Sequence, residues 1–302
     1  MVAHVNTIAF NGINIVDVYI QIHMIPEGNP TFNIVGLPDK IVAESRERIR
    51  SAITSLGLSM PLKRIIVNLS PADIAKEGSH FDLPIAVALL VSMGILDEIE
   101  LSEYLILGEL ALDGTIMPVS GTLPAAIGAN ERKKGIICPF KNGKEAAWAG
   151  DIKILAPKNL LGLINHFKGT QVLNTPNVGD IESEEEYPDL ADIAGQYNAK
   201  RVLEIAASGG HNLLMIGPPG SGKSMLASRL PGILPEMDVK EMLECSMIAS
   251  IAGLIEDGKL KRTRPFRAPH HSASMAAIVG GGFGKRINPG EITLATNGVL
   301  FL

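Results

Sequence analysis

Hydrophobic positions recur with two different periods in the first 170 residues of the chain, and the two patterns alternate. Apolar and polar residues in alternation, or runs of β-branched residues, predict strands at 13–22, 64–69, 104–110 and 152–155. Apolar positions three and four residues apart predict helices at 39–56, around Pro84, at 123–133 and at 158–166. This alternation of strands and helices predicts a mixed α/β domain.

A second α/β pattern follows an acidic joint. Residues 169–199 contain no Lys or Arg but seven carboxylates, together with Pro176 and Pro188, which predicts a solvated linker. We therefore expect one domain at 1–170, a linker at 171–188 and a second domain at 189–302. The second domain begins with a predicted helix at 198–207, an apolar strand at 212–216, a glycine-rich turn and another helix, an order typical of nucleotide-binding domains.

The glycine-rich turn matches the phosphate-loop pattern of two glycines, a Lys and a Ser at fixed spacing. Gly220 and Gly222 allow the backbone N–H groups to surround a β-phosphate, while Lys223 would reach the β- and γ-phosphates. The Ser224 hydroxyl would bind the Mg²⁺ that bridges those phosphates. A tight turn that uses glycine only for its geometry is the alternative. The candidate binding residues for ATP and Mg²⁺ are Gly217, Pro218, Pro219, Gly220, Ser221, Gly222, Lys223 and Ser224.

Hydrolysis at such a site needs acidic residues at the end of a second strand. An apolar strand is predicted at 299–302, where the sequence ends before any acidic residue. We expect those acids to follow in a longer chain, the alternative being an apolar tail. Residues 1–302 are thus expected to bind nucleotide but to hydrolyse it poorly, with no catalytic residue of their own.

Positive charge is concentrated in one segment of the second domain. Its candidate DNA contacts are Lys259, Lys261, Arg262, Arg264 and Arg267, and nearby stand His270, His271, Lys285 and Arg286. Glycines at 280–284 indicate a mobile loop that could bring these residues to DNA phosphates or to a neighbouring subunit, although a solvated basic face is the alternative. The two adjacent histidines are expected on opposite sides of an extended chain, without a metal site.

Composition restricts the class of protein. Hydrophobic residues make up 46% and charged residues 20%, and the net charge is −5, so a global positive field is excluded and any DNA contact must be local. Two cysteines, Cys138 and Cys245, are too few for a disulfide framework. The N-terminus does not resemble a signal peptide, and the apolar run at 83–96 is broken by Pro84 and Gly94. A cytoplasmic protein without a membrane span is expected.

Several motifs together resemble the ComM/YifB family of magnesium-chelatase-like AAA+ ATPases. They are FNIVGLP at 32–38, KEGSHFDLP at 76–84, GGHNLL at 209–214, the phosphate loop, RAPHHS at 267–272 and PGEI at 289–292. The resemblance covers the whole chain, but it stops before the family's acidic pair, sensor residues, arginine finger and helical lid.

The resemblance implies that residues 1–170 form a domain like the proteolytic domain of Lon, which has the ribosomal protein S5 domain 2-like fold. Active Lon enzymes use a Ser and a Lys, and these positions correspond here to His80 and Leu123. Ser79 is adjacent, but a shift by one residue would move its hydroxyl from the pocket. A peptidase fold without peptidase chemistry is therefore expected.

For residues 189–302 the resemblance implies the first part of an AAA+ ATP-binding domain. Family members are expected to form hexameric rings that move DNA during recombination or natural transformation, as branch-migration helicases do. Gly195 and Gln196 resemble the segment that lies against adenine in related ATPases. Two alternatives stay open: an ATPase subunit that drives metal insertion into a tetrapyrrole, and a nucleotide-binding module that does not hydrolyse ATP.

Overall fold

The computed structural model describes residues 2–26, 29–182, 187–281 and 288–302. The chain divides into two compact units. The first contains the described residues up to Asp180 together with Ser250–Lys259, and the second contains the other described residues. A short segment that follows the phosphate loop in sequence is therefore part of the first unit.

The first unit is a mixed α/β structure, as the hydrophobic pattern predicts. Its strands are β1 (Val2–Asn11), β2 (Asn14–Ile25), β3 (Thr31–Val35), β4 (Arg64–Ser70), β5 (Tyr104–Ile106), β6 (Glu109–Leu110), β7 (Ile116–Met117), β8 (Gly135–Ile137) and β9 (Ile154–Leu155). Its helices are α1 (Lys40–Ser55), α2 (Asp82–Ser92), α3 (Glu98–Ser102), α4 (Thr122–Glu131), α5 (Gly143–Ala146) and α6 (Leu160–Phe167).

Seven of these strands form one sheet in the order β3-β4-β2-β1-β5-β8-β9. The β1–β2 and β2–β4 pairs are antiparallel, and the other four pairs are parallel. Val5 and Ala9 of β1, with their neighbours on β2 and β4, are buried in one large core together with side chains of α1 and α2. One face of the sheet is therefore fully covered.

The opposite face is covered only in part. Around Ile8, β5 and β8 it is buried by α4 and α5, in a second core. The alternate positions 2–6 of β1, 19–25 of β2, 31–35 of β3 and 64–70 of β4 are all exposed or half-buried. We call this four-stranded area the open sheet face. In one row across it, His4 pairs with Gln21, Gln21 with Asn68, and Asn68 with Val35.

A buried carboxylate connects the helices above the covered face. Asp82, at the first position of α2, is fully buried, and it accepts a hydrogen bond from the Ser45 hydroxyl of α1. The Arg48 guanidinium donates to both oxygens, at 2.6 and 2.9 Å, and the Leu110 amide donates at 3.2 Å. Because a buried charge is tolerated only when it is paired and hydrogen-bonded, this cluster fixes α1, α2 and β6 relative to one another.

A second buried carboxylate holds the segment at 250–259 in the first unit. Glu145 accepts hydrogen bonds from the Ser250 hydroxyl at 2.5 Å, the Leu123 amide at 3.1 Å and Asn142 Nδ2 at 2.9 Å. The Trp148 indole donates to the Gly258 carbonyl at 2.8 Å. Gly258 has φ +70°, and a Cβ there would lie 2.6 Å from the Glu145 nitrogen, so only glycine fits this approach.

The second unit has shorter elements. Its helices are α7 (Tyr197–Gly209), α8 (Lys223–Ala227), α9 (Val239–Ile251), α10 (Met275–Val279) and α11 (Glu291–Leu294), the last two residues of α9 belonging to the first unit. Its strands are β10 (Phe266–Arg267), β11 (Gly280–Gly281), β12 (Asn288–Pro289) and β13 (Val299–Leu300). β10 pairs with β13 in parallel and β11 pairs with β12 antiparallel.

The predicted helices are confirmed to within about two residues, and Asp39 and Asn159 cap α1 and α6 as acceptors. The strand predicted at 104–110 is wrong in extent, because Gly108 at φ +159° separates β5 from β6. The strand predicted at 212–216 is also wrong, since that segment pairs with no strand of the described residues. Leu214 is 81% and Ile216 89% exposed, which shows that apolar content makes no strand without a neighbouring strand.

Part of the predicted linker is attached to the first unit. Val172 and Val178 of the predicted linker are exposed, whereas the Gly179 amide donates to the Lys144 carbonyl of the first unit. Glu184, Glu185 and Glu186 lie outside the described residues.

Cys138 is buried and Cys245 partly buried, and neither is in a disulfide. Across the part of the chain that the structure describes, no helix is long and apolar enough to cross a bilayer.

We expect Glu145→Ala to lower the free energy of unfolding of the first unit by about 2–4 kcal/mol, because the Ser250 hydroxyl loses its acceptor and the Leu123 amide and Asn142 Nδ2 each keep only one partner. The single tryptophan of the chain, Trp148, contacts the segment at 250–259, so its fluorescence during urea unfolding reports on this unit. Glu131→Ala is the matched control, since the Glu131 side chain is 71% exposed, and should change stability little. Equal loss in both variants would contradict the role given to Glu145.

The stability difference between the parent chain and Glu145→Ala is expected to depend on pH. Burial raises the pKa of Glu145 above its ordinary value of 4.5. Above pH 4.5 the unfolded chain loses this proton before the folded chain does, so the contribution of Glu145 to stability falls as the pH rises through the raised pKa. The stability difference between the parent chain and Glu145→Ala should therefore be larger at pH 4.5 than at neutral pH.

Candidate functional site

The phosphate loop at 217–222 connects the exposed segment after α7 to the start of α8. Gly220 has φ +79° and Gly222 has φ +87°, conformations that side chains with a Cβ rarely adopt. A Cβ on Gly222 would also approach Gln196 Nε2 to 3.0 Å. The loop is therefore specified by its glycines and not by burial, because its residues are exposed or half-buried.

Lys223 and Ser224 lie in the first turn of α8, directly after the loop. The Lys223 ammonium folds over the loop and donates to the carbonyls of Gly217 at 2.8 Å and Pro218 at 2.9 Å. The Ser224 side chain is exposed, and its hydroxyl forms no hydrogen bond with another described residue. An amine that already bridges the two ends of the loop is within reach of an anion held inside it, and the free hydroxyl suits a Mg²⁺ ion beside that anion.

The segment before α7 also reaches the loop. Gln196 has φ +51°, and its side-chain amide donates to the Ser221 carbonyl at 3.2 Å. The next residue, Tyr197, is 82% exposed. Gly195 and Gln196 resemble a segment that lies against adenine in related ATPases, whereas nothing in the sequence singles out the exposed aromatic ring.

Two of the basic residues are occupied by carboxylates of the second unit. Arg264 donates to both oxygens of Glu241, at 3.1 and 2.8 Å, and Arg267 donates to both oxygens of Glu291, at 2.5 and 2.7 Å. Hydrogen bonding by these guanidinium groups lowers the pKa of Glu241 and of Glu291. Arg264 also donates to the carbonyls of Pro235 and Asn297, so it supports the loop backbone.

The remaining basic residues lie differently. Lys261 is 3.4 Å from Glu182, whereas Lys259 and Arg262 are exposed, and Arg262 has no ion-pair partner among the described residues. Lys285 and Arg286 lie outside the described residues.

The expectation for the adjacent histidines is wrong. The rings of His270 and His271 lie 4.0 Å apart, on the same side, because a turn follows them and His270 Nδ1 is 2.7 Å from the Ser272 hydroxyl. Within the described residues there is no group of three or more His, Cys, Asp or Glu side chains able to hold a metal ion.

The two positions that the resemblance assigns to the Lon dyad, 80 and 123, are filled by structural contacts. His80 is 7% exposed, its Nε2 is 3.0 Å from the Ile8 carbonyl, and its ring packs against Phe10 and Phe81. Leu123 is fully buried. This arrangement leaves no nucleophile at position 80 and no base at position 123.

Two neighbouring polar residues are also engaged. The Ser79 hydroxyl donates to Glu109, a partner that the sequence does not indicate because it is 30 residues away. Lys76 is fully buried, and its ammonium donates to the carbonyls of Pro71 and, at 2.8 Å, of Ile74. Burial lowers the pKa of Lys76. Its ammonium is thus held by the backbone of the preceding loop.

Comparison with known proteins covers nearly the whole chain. The family model described as "Magnesium chelatase, subunit ChlI" matches residues 189–302, and that described as "Subunit ChlI of Mg-chelatase" matches residues 20–142. A shorter similarity, 39% identity over 77 residues, relates 25% of the chain to 12% of an archaeal Lon protease from Methanothermobacter thermautotrophicus.

Two longer proteins are similar to this chain over nearly all of its length. The "Competence protein ComM" of Haemophilus influenzae is 45% identical over 290 residues, covering 94% of this chain and 56% of that protein. The "Uncharacterized protein YifB" of Escherichia coli is 44% identical over 298 residues, covering 99% of this chain and 58% of that protein. The chain thus spans a little over half the length of these curated relatives. With its glycine-defined phosphate loop, the chain belongs to the ComM/YifB family of magnesium-chelatase-like proteins.

Proposed function

We propose that this chain binds ATP with Mg²⁺ at the loop 217–224, as part of an ATPase that acts on DNA. The observation that carries the nucleotide site is the loop geometry, with two glycines at positive φ and the Lys223 ammonium already folded over the loop. The backbone N–H groups of the loop hold the phosphates, and Lys223 exchanges its two carbonyl partners for phosphate oxygens, which are stronger acceptors because they are charged.

Ser224 provides a hydroxyl beside the phosphates for Mg²⁺. A Mg²⁺ ion held there would offset the negative charge of the phosphates. Gln196 ties the loop to the segment before α7, and the exposed ring of Tyr197 next to it provides a stacking surface for adenine. Each of these roles uses only groups that are exposed or bonded to the loop itself.

A DNA substrate is proposed from the basic segment and from the printed name of a relative. The similar Haemophilus influenzae protein is called a competence protein, which favours work on incoming DNA. Lys259 and Arg262 are the exposed cations on which we place the phosphate contacts. Arg264 and Arg267, engaged with Glu241 and Glu291, keep the neighbouring backbone in place. The full-length protein is proposed to act as a hexameric ring motor of the branch-migration type.

A chelatase-type function is the second candidate, since both matching family models are described by a magnesium chelatase subunit. In that case ATP binding would serve insertion of a metal into a tetrapyrrole. An affinity for DNA that falls as the salt concentration rises would favour the DNA function over the chelatase function. Such a fall reflects the release of counterions from DNA phosphates when the protein binds.

We propose no peptidase function for the first unit, given His80 and Leu123 at the two positions of the Lon dyad. A fluorescent, unstructured protein incubated with the chain and MgATP should stay intact, both for the parent chain and for Ser79→Ala. Degradation that Ser79→Ala abolishes would reverse this conclusion and make Ser79 the nucleophile and Glu109 its base.

For the nucleotide site, we expect Lys223→Ala to weaken MgATP binding by about tenfold or more, since a charge-assisted hydrogen bond to phosphate is lost. Isothermal titration calorimetry measures this directly. Lys240→Ala, which removes the same charge from an exposed position on α9, is the control and should bind like the parent chain. Equal affinity of all three proteins would refute the site.

For the DNA contact, we expect Arg262→Ala to weaken binding of branched DNA and to lower the salt slope of the affinity by about one, as for one phosphate contact. Arg50→Ala, an exposed arginine of α1, is the control. Arg264→Ala should instead lower the melting temperature, because Glu241 and two backbone carbonyls lose their donor. An unchanged slope for Arg262→Ala would remove this residue from the interface.

A further inference from the structure

The open sheet face in the first unit has no role in the proposed nucleotide site. It carries three exposed rings, of His4, Tyr19 and His23, with Tyr19 49% exposed. Tyr19 and His23 are two pleats apart on β2, and His4 lies on the neighbouring strand, where it pairs with Gln21. Flat rings on a strand surface stand away from the sheet and are available for stacking.

Hydrogen-bonding groups lie between these rings. Asn68 Nδ2 donates to Gln21 Oε1 at 2.9 Å. Asn68 Oδ1 and Gln21 Nε2 bond to no other described residue, so the pair presents one acceptor and one donor side by side. The edge of a nucleobase offers the complementary groups.

The charge of this face differs from that of the whole chain. The chain has a net charge of −5, yet none of the positions that form the open sheet face is Asp or Glu, and Arg64 is exposed at its end. Asp17 lies farther along β2, where it is neutralised by Arg132 at 2.7 Å. The positions of the face itself therefore carry no carboxylate that would repel a polyanion, and the acidic residues Glu98 and Glu100 are on α3, which packs beside β1.

We propose that the open sheet face binds a single-stranded polynucleotide, with bases stacked on Tyr19, His4 and His23 and phosphates near Arg64. The four strands span about 14 Å, and the used length of β2 spans about 20 Å, which accommodates a site of about four nucleotides. A duplex is disfavoured because its bases are already stacked and cannot lie on the rings.

A second copy of the chain is the competing occupant. Interfaces between copies concentrate apolar side chains at the centre and polar ones at the rim. Here the central row is His4, Gln21 and Asn68, which are polar. Val2, Ile25 and Val35 lie at the margins, and only the half-buried Ile66 lies between polar neighbours, His23 and Asn33. The arrangement fits a nucleic acid better than a protein.

This inference goes beyond the proposed function, because it concerns the first unit and requires neither ATP nor movement along DNA. It adds a binding surface that recognises the single-stranded state, whereas the exposed cations at 259 and 262 contact phosphates of either form.

The test uses the full 302-residue chain and fluorescence anisotropy of a labelled oligothymidine of roughly twelve nucleotides. We expect Tyr19→Ala to weaken binding about five- to a hundredfold through lost stacking, and Tyr19→Phe to bind like the parent chain. Arg64→Glu should also weaken binding. Arg50→Glu makes the same charge change on α1, which packs on the covered face, and should not. Trp148 fluorescence verifies that each variant is folded.

Oligouridine of equal length distinguishes RNA from DNA as the source of the strand, and a duplex of equal length should bind independently of Tyr19. Unchanged oligothymidine binding in Tyr19→Ala and Arg64→Glu would overturn the proposal. So would a change of sedimentation in these variants without a change in binding, which would assign the face to a second copy. The nucleotide site is tested separately, by the MgATP affinity of Lys223→Ala. A negative result with oligothymidine therefore does not refute the nucleotide site, and a negative result with MgATP does not refute binding to the open sheet face.

Discussion

Backbone pairing between neighbouring strands is the constraint on which this structure depends. An extended segment has unpaired N–H and C=O groups along both edges, and only a neighbour or water can satisfy them. β1 and β2 solve this by a ten-residue antiparallel register, and β4 and β5 extend the ladder on either side. The helices α1 and α2 can bury one face of the sheet because this register brings its apolar positions together.

The same constraint explains what the second unit lacks. Residues 212–216 have the apolar composition of a strand but no pairing partner among the described residues, and Leu214 and Ile216 remain exposed. The phosphate loop that follows does not need this pairing, because Gly220 and Gly222 determine its course locally. The loop can therefore be formed although the segment before it pairs with no described strand.

Several charged side chains of this structure are engaged by partners within the chain and cannot contact a polyanion. Asp82 and Glu145 are each surrounded by donors, and they connect helices and the segment at 250–259 to the first unit. Arg264 and Arg267 are engaged in the same way by Glu241 and Glu291. Counting positive residues in a segment thus overestimates the charge that a polyanion can contact, since intramolecular carboxylates neutralise part of it.

The strands β1, β3, β7 and β8 have no counterpart among the strands predicted from the sequence. Neighbouring residues alone specify the helices with their caps at Asp39 and Asn159, the strands β2, β4 and β9, and the glycines and Lys223 of the phosphate loop. These follow from periodicity and local geometry. The sequence also indicated the family, because several motifs of the ComM/YifB family occur in it in the family's order. Three further features exist only in the folded chain: the pairing of the strands, the open sheet face around Tyr19, and the contacts of Arg264 with Glu241 and of Ser79 with Glu109. Those partners are more than 20 residues apart in the chain, and no local pattern specifies a contact that folding creates at such a distance.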